Sequence, residues 1–207
     1  VSANQRGTAF RATFLQAKKQ STSKWISASC AGKQLDFKGQ FNQWDLLSRR
    51  PQIAGVGTFQ PPPNLLSAFS SPSIGSFGVF FERAGVTELN YTIAEFLACA
   101  SPSKQPTLTV NGYLDQYFFG HGEIITRSSL ATFLDALLAF QVGAILDIAF
   151  STHRWLASFV LIKLLQKNSE SVGAQMLIDF LGPNGPVELG DSVGSTRLSV
   201  LFVQTEE

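Results

Sequence analysis

Apolar and polar positions change period several times along this chain. From Leu130 the residues Leu130, Phe133, Leu134, Leu137 and Leu138 fall at i, i+3, i+4, i+7 and i+8, the one clear helical stripe. Ser128 or Ser129 is placed to cap it and Gly143 lies just past its end, so the spacing predicts a helix over Ser129–Phe140, about three turns long. Elsewhere the period is two. Leu35, Phe37 and Phe41 with Trp44 make a short alternating stretch, and Phe77, Val79 and Phe81 make another before the turn-like Ala84-Gly85. Tyr91 to Phe96 and Thr107 to Val110 continue the strand pattern, the latter ending at Asn111-Gly112, the strongest short turn signal in the chain. After the helix, Leu146, Ile148 and Phe150 alternate with their neighbours. Trp155–Leu165, Met176–Leu181 and Leu198–Val203 are continuous apolar runs, and the Trp, Phe, Val and Ile of the first point to a strand buried on both faces. Between residues 51 and 78, Pro51, Pro61 to Pro63, Pro72 and four glycines break any regular element, which reads as a long strap.

Composition sharpens this segmentation. The chain has 207 residues, 44% apolar and only 15% charged, with 18 Phe. Soluble domains average about 25% charged residues, so this surface is largely uncharged or covered by neighbours, as in an assembly subunit. Two cysteines, Cys30 and Cys99, cannot make a disulfide framework or a four-thiolate zinc site, and no cofactor or metal is expected. The chain opens on Val1, which is read either as release from a precursor or as trimming of the chain.

The net charge of +1 conceals an asymmetry: residues 1–87 carry ten basic and three acidic side chains, whereas residues 88–207 carry six basic and twelve acidic ones. Residues 1–35 have no acidic side chain at all, and Arg6, Arg11, Lys18, Lys19 and Lys24 form a basic arm. Three readings of that arm stand open. It contacts phosphates of nucleic acid, it is a solvated or partner-facing edge, or it is a retained organelle-targeting segment. Phe10, Phe14 and Trp25 are interleaved with the charges, either to stack on bases or to pack as strand residues against a neighbouring subunit.

Membrane and catalytic chemistry have little support. The 21-residue apolar stretch Leu130–Phe150 contains Asp135 and Asp147. Their cost of about +5 to +7 kcal/mol offsets the about −3 to −7 kcal/mol from its eleven Leu, Ile, Phe and Val, so no membrane span is expected. No nucleophile elbow, phosphate-binding loop, dinucleotide fingerprint or zinc-protease motif is present. His121, between Gly120 and Gly122 with Glu123 following, is the candidate for a hydrolase and otherwise a polar loop residue. His153 lies at a turn before Arg154 and Trp155, with no spacing that implies a triad.

The order of elements from Thr107 onward carries a resemblance. Residues 124–165, IITRSSLATFLDALLAFQVGAILDIAFSTHRWLASFVLIKLL, look like the C-strand, A-helix, D-strand and E-strand of capsid jelly rolls in the comovirus and nepovirus group, the Secoviridae. Residues 174–203, AQMLIDFLGPNGPVELGDSVGSTRLSVLFV, are similar to that family's strand running into a Gly-Pro-Asn turn before its G and H strands, and residues 91–119 resemble its entry into strand B. The resemblance implies an all-β fold: an eight-stranded antiparallel jelly-roll sandwich with one short helix and an extended N-terminal arm. It divides the chain into arm, strap and added strands over 1–87 and a jelly-roll capsid domain over 88–207. The implied function is that of a non-enzymatic subunit of an icosahedral capsid, cut from a polyprotein. Its partners are identical or sibling capsid subunits and genomic single-stranded RNA, with no membrane, in the virion and in host cytoplasm during assembly. A cellular β-sandwich binding module is the alternative, and a hydrolase using His121 the third reading.

Overall fold

A computed structural model of the chain describes residues 10–20, 35–57, 59–110, 118–119, 123–124, 126–127, 129–167 and 172–182. The elements are β1 (Arg11–Ala12), β2 (Phe14–Lys19), β3 (Leu35–Lys38), α1 (Phe41–Arg49), β4 (Gly75–Arg83), β5 (Val86–Ile93), β6 (Leu97–Cys99) and β7 (Thr107–Val110). They continue with β8 (Phe118–Phe119), β9 (Glu123–Ile124), β10 (Thr126–Arg127), α2 (Leu130–Leu138), β11 (Ala144–Ile145), α3 (Ser151–Lys167) and α4 (Val172–Leu181). The chain forms two compact units. Among the described residues, one comprises those between 12 and 51 and between 70 and 144, and the other residues 10–11 and those between 52 and 69 and between 145 and 182.

The first unit is a layered β structure. Four strands form a sheet in the order β10-β5-β4-β2, and three more form a second sheet in the order β3-β7-β6. Phe77 and Val79 of β4 share one buried cluster with Phe37 of β3, Leu97 of β6 and Leu108 and Val110 of β7, so the two sheets face each other across an aromatic and aliphatic core. The Phe37 and Phe77 rings meet at 5.7 Å across it. Alternation explains the choice of face: residues two apart along β4 point the same way, and Phe77 and Val79 are fully enclosed.

Helix α1 closes this core. Strand β3 stops at Lys38, and the spacing of Phe41, Trp44 and Leu47 then fits a helix rather than the strand expected through Trp44. Trp44 and Leu47 are buried, and the Trp44 indole N–H donates to the Leu97 carbonyl at 2.9 Å. The opposite face of the four-stranded sheet carries α2, where Phe133 and Ala136 pack on Leu89 and Tyr91 of β5. Ser129 caps α2 through a reciprocal box with Thr132, and Glu88 accepts from the Leu130 N–H at 3.2 Å. The expected helix is thus present, two residues shorter at its end, where Phe140 takes a positive φ of 55°. The expected turn at Ala84-Gly85 joins β4 to β5, with φ of 50° and 79° at its two central residues, the signs of a tight hairpin turn. Residues 87 and 88, at the expected division of the chain, are consecutive in β5.

Two features depart from an all-β antiparallel sandwich. Strand β2 pairs with β4 in parallel, Phe14 opposite Gly75 through Lys19 opposite Phe80. A parallel pair needs a long crossover rather than a hairpin, and the chain between Lys19 and Gly75 supplies it. The second departure is helix content: the chain is rich in strands but not free of helices.

That helix content lies mostly in the second unit and corrects three expectations. Trp155–Leu165 belongs to α3 and Met176–Leu181 to α4, not to strands. Leu156, Ala157, Phe159 and Leu161 are buried on α3 together with the polar Thr152, His153 and Ser158, so buried positions spread around much of the helix, apolar and polar alike, and no single apolar stripe reveals it. Its 17 residues also exceed the usual length of a strand. The third expected strand, through Leu146, Ile148 and Phe150, is reduced to Ala144–Ile145. Asp147 ends it: its Oδ1 accepts from the Ala149 N–H at 2.9 Å and its carbonyl from the Phe150 N–H at 3.1 Å, a local turn that competes with a ladder. Trp155 and Phe159 stack at 5.4 Å on α3, and Phe59 of the strap lies 5.5 Å from Phe159. Asn111-Gly112 and Leu198–Val203 lie outside the described residues. Among the described residues no helix is long and apolar enough to cross a membrane.

Candidate functional site

Of the five basic residues expected to face RNA or a neighbouring subunit, Arg6 and Lys24 lie outside the described residues, as do Trp25, Cys30 and His121. Arg11 is in β1, half-buried, with its Nε enclosed. Lys18 and Lys19 close β2, the outermost strand of the four-stranded sheet as described. The arm is therefore strand from Phe14 to Lys19, which alternates half-buried and exposed residues.

That alternation separates the two lysines. Consecutive residues of a strand point to opposite faces, and Lys18 shares a face with Phe14 and Gln16, Lys19 with Leu15 and Ala17. Phe14 packs against the core between the sheets, so it is committed to the chain's own interior rather than to base stacking. Lys18 follows it: its Nζ donates to Oε1 of Gln43 on α1 at 2.7 Å, and burial pushes its pKa below the ordinary lysine value. Lys19 is exposed on the other face.

The outer edge of β2 is guarded by its own side chains. The Gln16 amide donates to the Ala17 carbonyl at 3.0 Å, while just past the strand the Gln20 amide reaches the Asp36 carbonyl of β3 at 3.4 Å. With two lysines on the strand, these are the devices by which edge strands avoid uncontrolled pairing. At the end of β2, a concavity of about 440 Å³ is lined by Ala17, Lys18, Lys19, Phe80, Glu82 and Thr87. Its walls bring together the Phe80 ring, the Lys19 side chain and the Glu82 carboxylate.

Gln43, Phe80 and Thr87 escaped notice in the sequence because no local pattern links them to β2. The parallel pairing of segments about 60 residues apart brings Phe80 beside β2, the β4–β5 hairpin brings Thr87, and α1 brings Gln43 to Lys18. Among the described residues no group of three or more His, Cys, Asp or Glu side chains gathers to hold a metal ion.

Compared with known protein families, curated proteins and solved structures, the chain matches none.

Proposed function

We propose that this chain is a non-enzymatic structural subunit of an icosahedral viral capsid of the comovirus and nepovirus type, cut from a polyprotein, packing with identical or sibling subunits around single-stranded RNA. The reading takes the two facing sheets as parts of a jelly roll. The observation that carries it is the pairing of these two sheets over one aromatic core, to which Leu97, Leu108 and Val110 of the segment that resembles the capsid family contribute and which Phe37, Trp44, Phe77 and Val79 of the preceding residues complete. A surface poor in charge supports it. So do Val86, Leu134 and Leu138, which the single chain leaves 59%, 45% and 53% exposed on the hairpin and on α2; an assembly would cover such side chains.

In this reading β2 ties the arm to the subunit, and Lys19 is the described arm residue free to meet RNA phosphates or an acidic patch of a neighbour. A second reading, a β-sandwich binding module, is favoured by the concavity beside β2, which has the volume of a small-ligand site. Light scattering on the size-separated full chain, alone and with sibling subunits, distinguishes them. A capsid subunit forms pentamers or larger shells visible by electron microscopy. A chain that stays a monomer or dimer at all concentrations, with and without RNA, refutes the capsid reading.

A further inference from the structure

His153 is enclosed in the second unit, 7% exposed, in the first turn of α3. Its ring lies flat on Phe69 of the strap, with centroids 3.9 Å apart and planes 6° from parallel. Its Nδ1 accepts a hydrogen bond from the Asp147 backbone N–H at 3.0 Å. One imidazole thus holds three pieces of chain: the strap through its face, the turn at Asp147–Phe150 through its edge, and α3 through its backbone. Phe150 closes a further side at 5.2 Å.

We propose that His153 is an acid-sensitive latch that fastens the part of the strap ending at Phe69 to the turn before α3 and opens when Nδ1 takes up a proton. An Nδ1 lone pair is required to accept from the Asp147 N–H; a proton placed there sets two donors against each other and breaks the bond. The imidazolium would also be a charge in a nearly closed, largely aromatic site at the positive end of a helix, and both conditions oppose it.

The surrounding charges are few. Asp147 faces the ring from the preceding turn, and Arg154 follows it on α3. The strap has no titratable side chain between Gln52 and Phe69. Burial pushes the His153 pKa below the ordinary histidine value, while the Ala68 backbone and the Asp147 carboxylate pull the other way. With the folded value lowered, the closed latch holds its full stability above the unfolded value, about 6.5. That stability is lost as pH falls from there through the folded value, by up to about tenfold in the opening equilibrium per pH unit.

The test is a pH titration of the full chain followed by the ring ¹⁵N signals and by backbone amide exchange corrected for its intrinsic pH dependence. Only two histidines are present, so His153→Asn identifies the signal. It also serves as a control, because the Asn Oδ1 can replace Nδ1 as an acceptor that does not titrate. The expected result is an unprotonated Nδ1 at pH 7.5, then loss of protection at Asp147 and residues 64–69 on acidification in the wild type but not in His153→Asn. A protonated Nδ1 at pH 7.5, or coincident profiles in the two proteins, overturns the proposal. Should His153→Asn fail to fold, the wild type decides alone: protection must fall along the titration curve of the His153 ring, and protection unchanged as the ring titrates overturns it.

Discussion

Lys18 and Lys19 are adjacent in sequence and carry the same charge, yet the structure gives them different roles in any contact with RNA. Each lysine that neutralises one phosphate on a single strand contributes about −0.7 to the slope of log affinity against log salt. Raising salt fourfold therefore costs about 2.6-fold in affinity for each such contact. Lys18 spends its ammonium on Gln43, on the face of β2 that Phe14 directs toward the core, whereas Lys19 is exposed on the opposite face. If the arm meets RNA, Lys19→Gln should make the slope shallower by about 0.7. Lys18→Gln should leave the slope unchanged and show its effect in stability instead. The assay is filter binding of a single-stranded homopolymer RNA to each full-length variant between 50 and 200 mM salt, about the range over which such slopes are resolved. An equal change in both variants would refute the assignment of the two side chains to opposite faces. A slope unchanged in Lys19→Gln, and also in a variant with all five arm residues neutralised, would remove RNA from the arm and leave it as an assembly element.

Three further outcomes test the packing. Trp44→Phe should cost about 1–3 kcal/mol in urea unfolding, because it leaves the buried Leu97 carbonyl without its indole donor. Asn90 is 2% exposed and pairs with Val79 on the core face of β5, and its Oδ1 is enclosed without a hydrogen-bond partner among the described residues. Asn90→Val should therefore raise the unfolding midpoint at constant slope, a stability gain of about 1 kcal/mol; a destabilised variant would mean that the amide has a partner. Gly143 has a φ of 91°, and a Cβ there would come within 2.7 Å of the Ala12 carbonyl oxygen, so Gly143→Ala should destabilise by more than about 1 kcal/mol in the same assay.

What the sequence determined was local. Helix α2 was legible because its cap, its apolar stripe and its terminating residues lie within 15 positions and all agree. The hairpin at Ala84-Gly85 was legible because the turn chemistry and the flanking alternation coincide. Helix α3 was not, since its buried positions spread around much of the helix and mix apolar with polar residues, which leaves periodicity without a phase, and its β-branched and aromatic residues look the same in a buried strand. The basic arm was visible as charge, but its division was not: only the parallel pairing of β2 with β4, a contact between distant segments, turns Lys18 to Gln43 and Lys19 to solvent. The role of His153 was hidden for the same reason, because its partners Phe69 and Asp147 are placed by tertiary packing, and a lone histidine before Arg-Trp carries no mark of them. Local free energies write themselves into short windows of sequence, whereas pairing across long loops depends on which apolar surfaces finally meet, and that is decided only when the whole chain is folded.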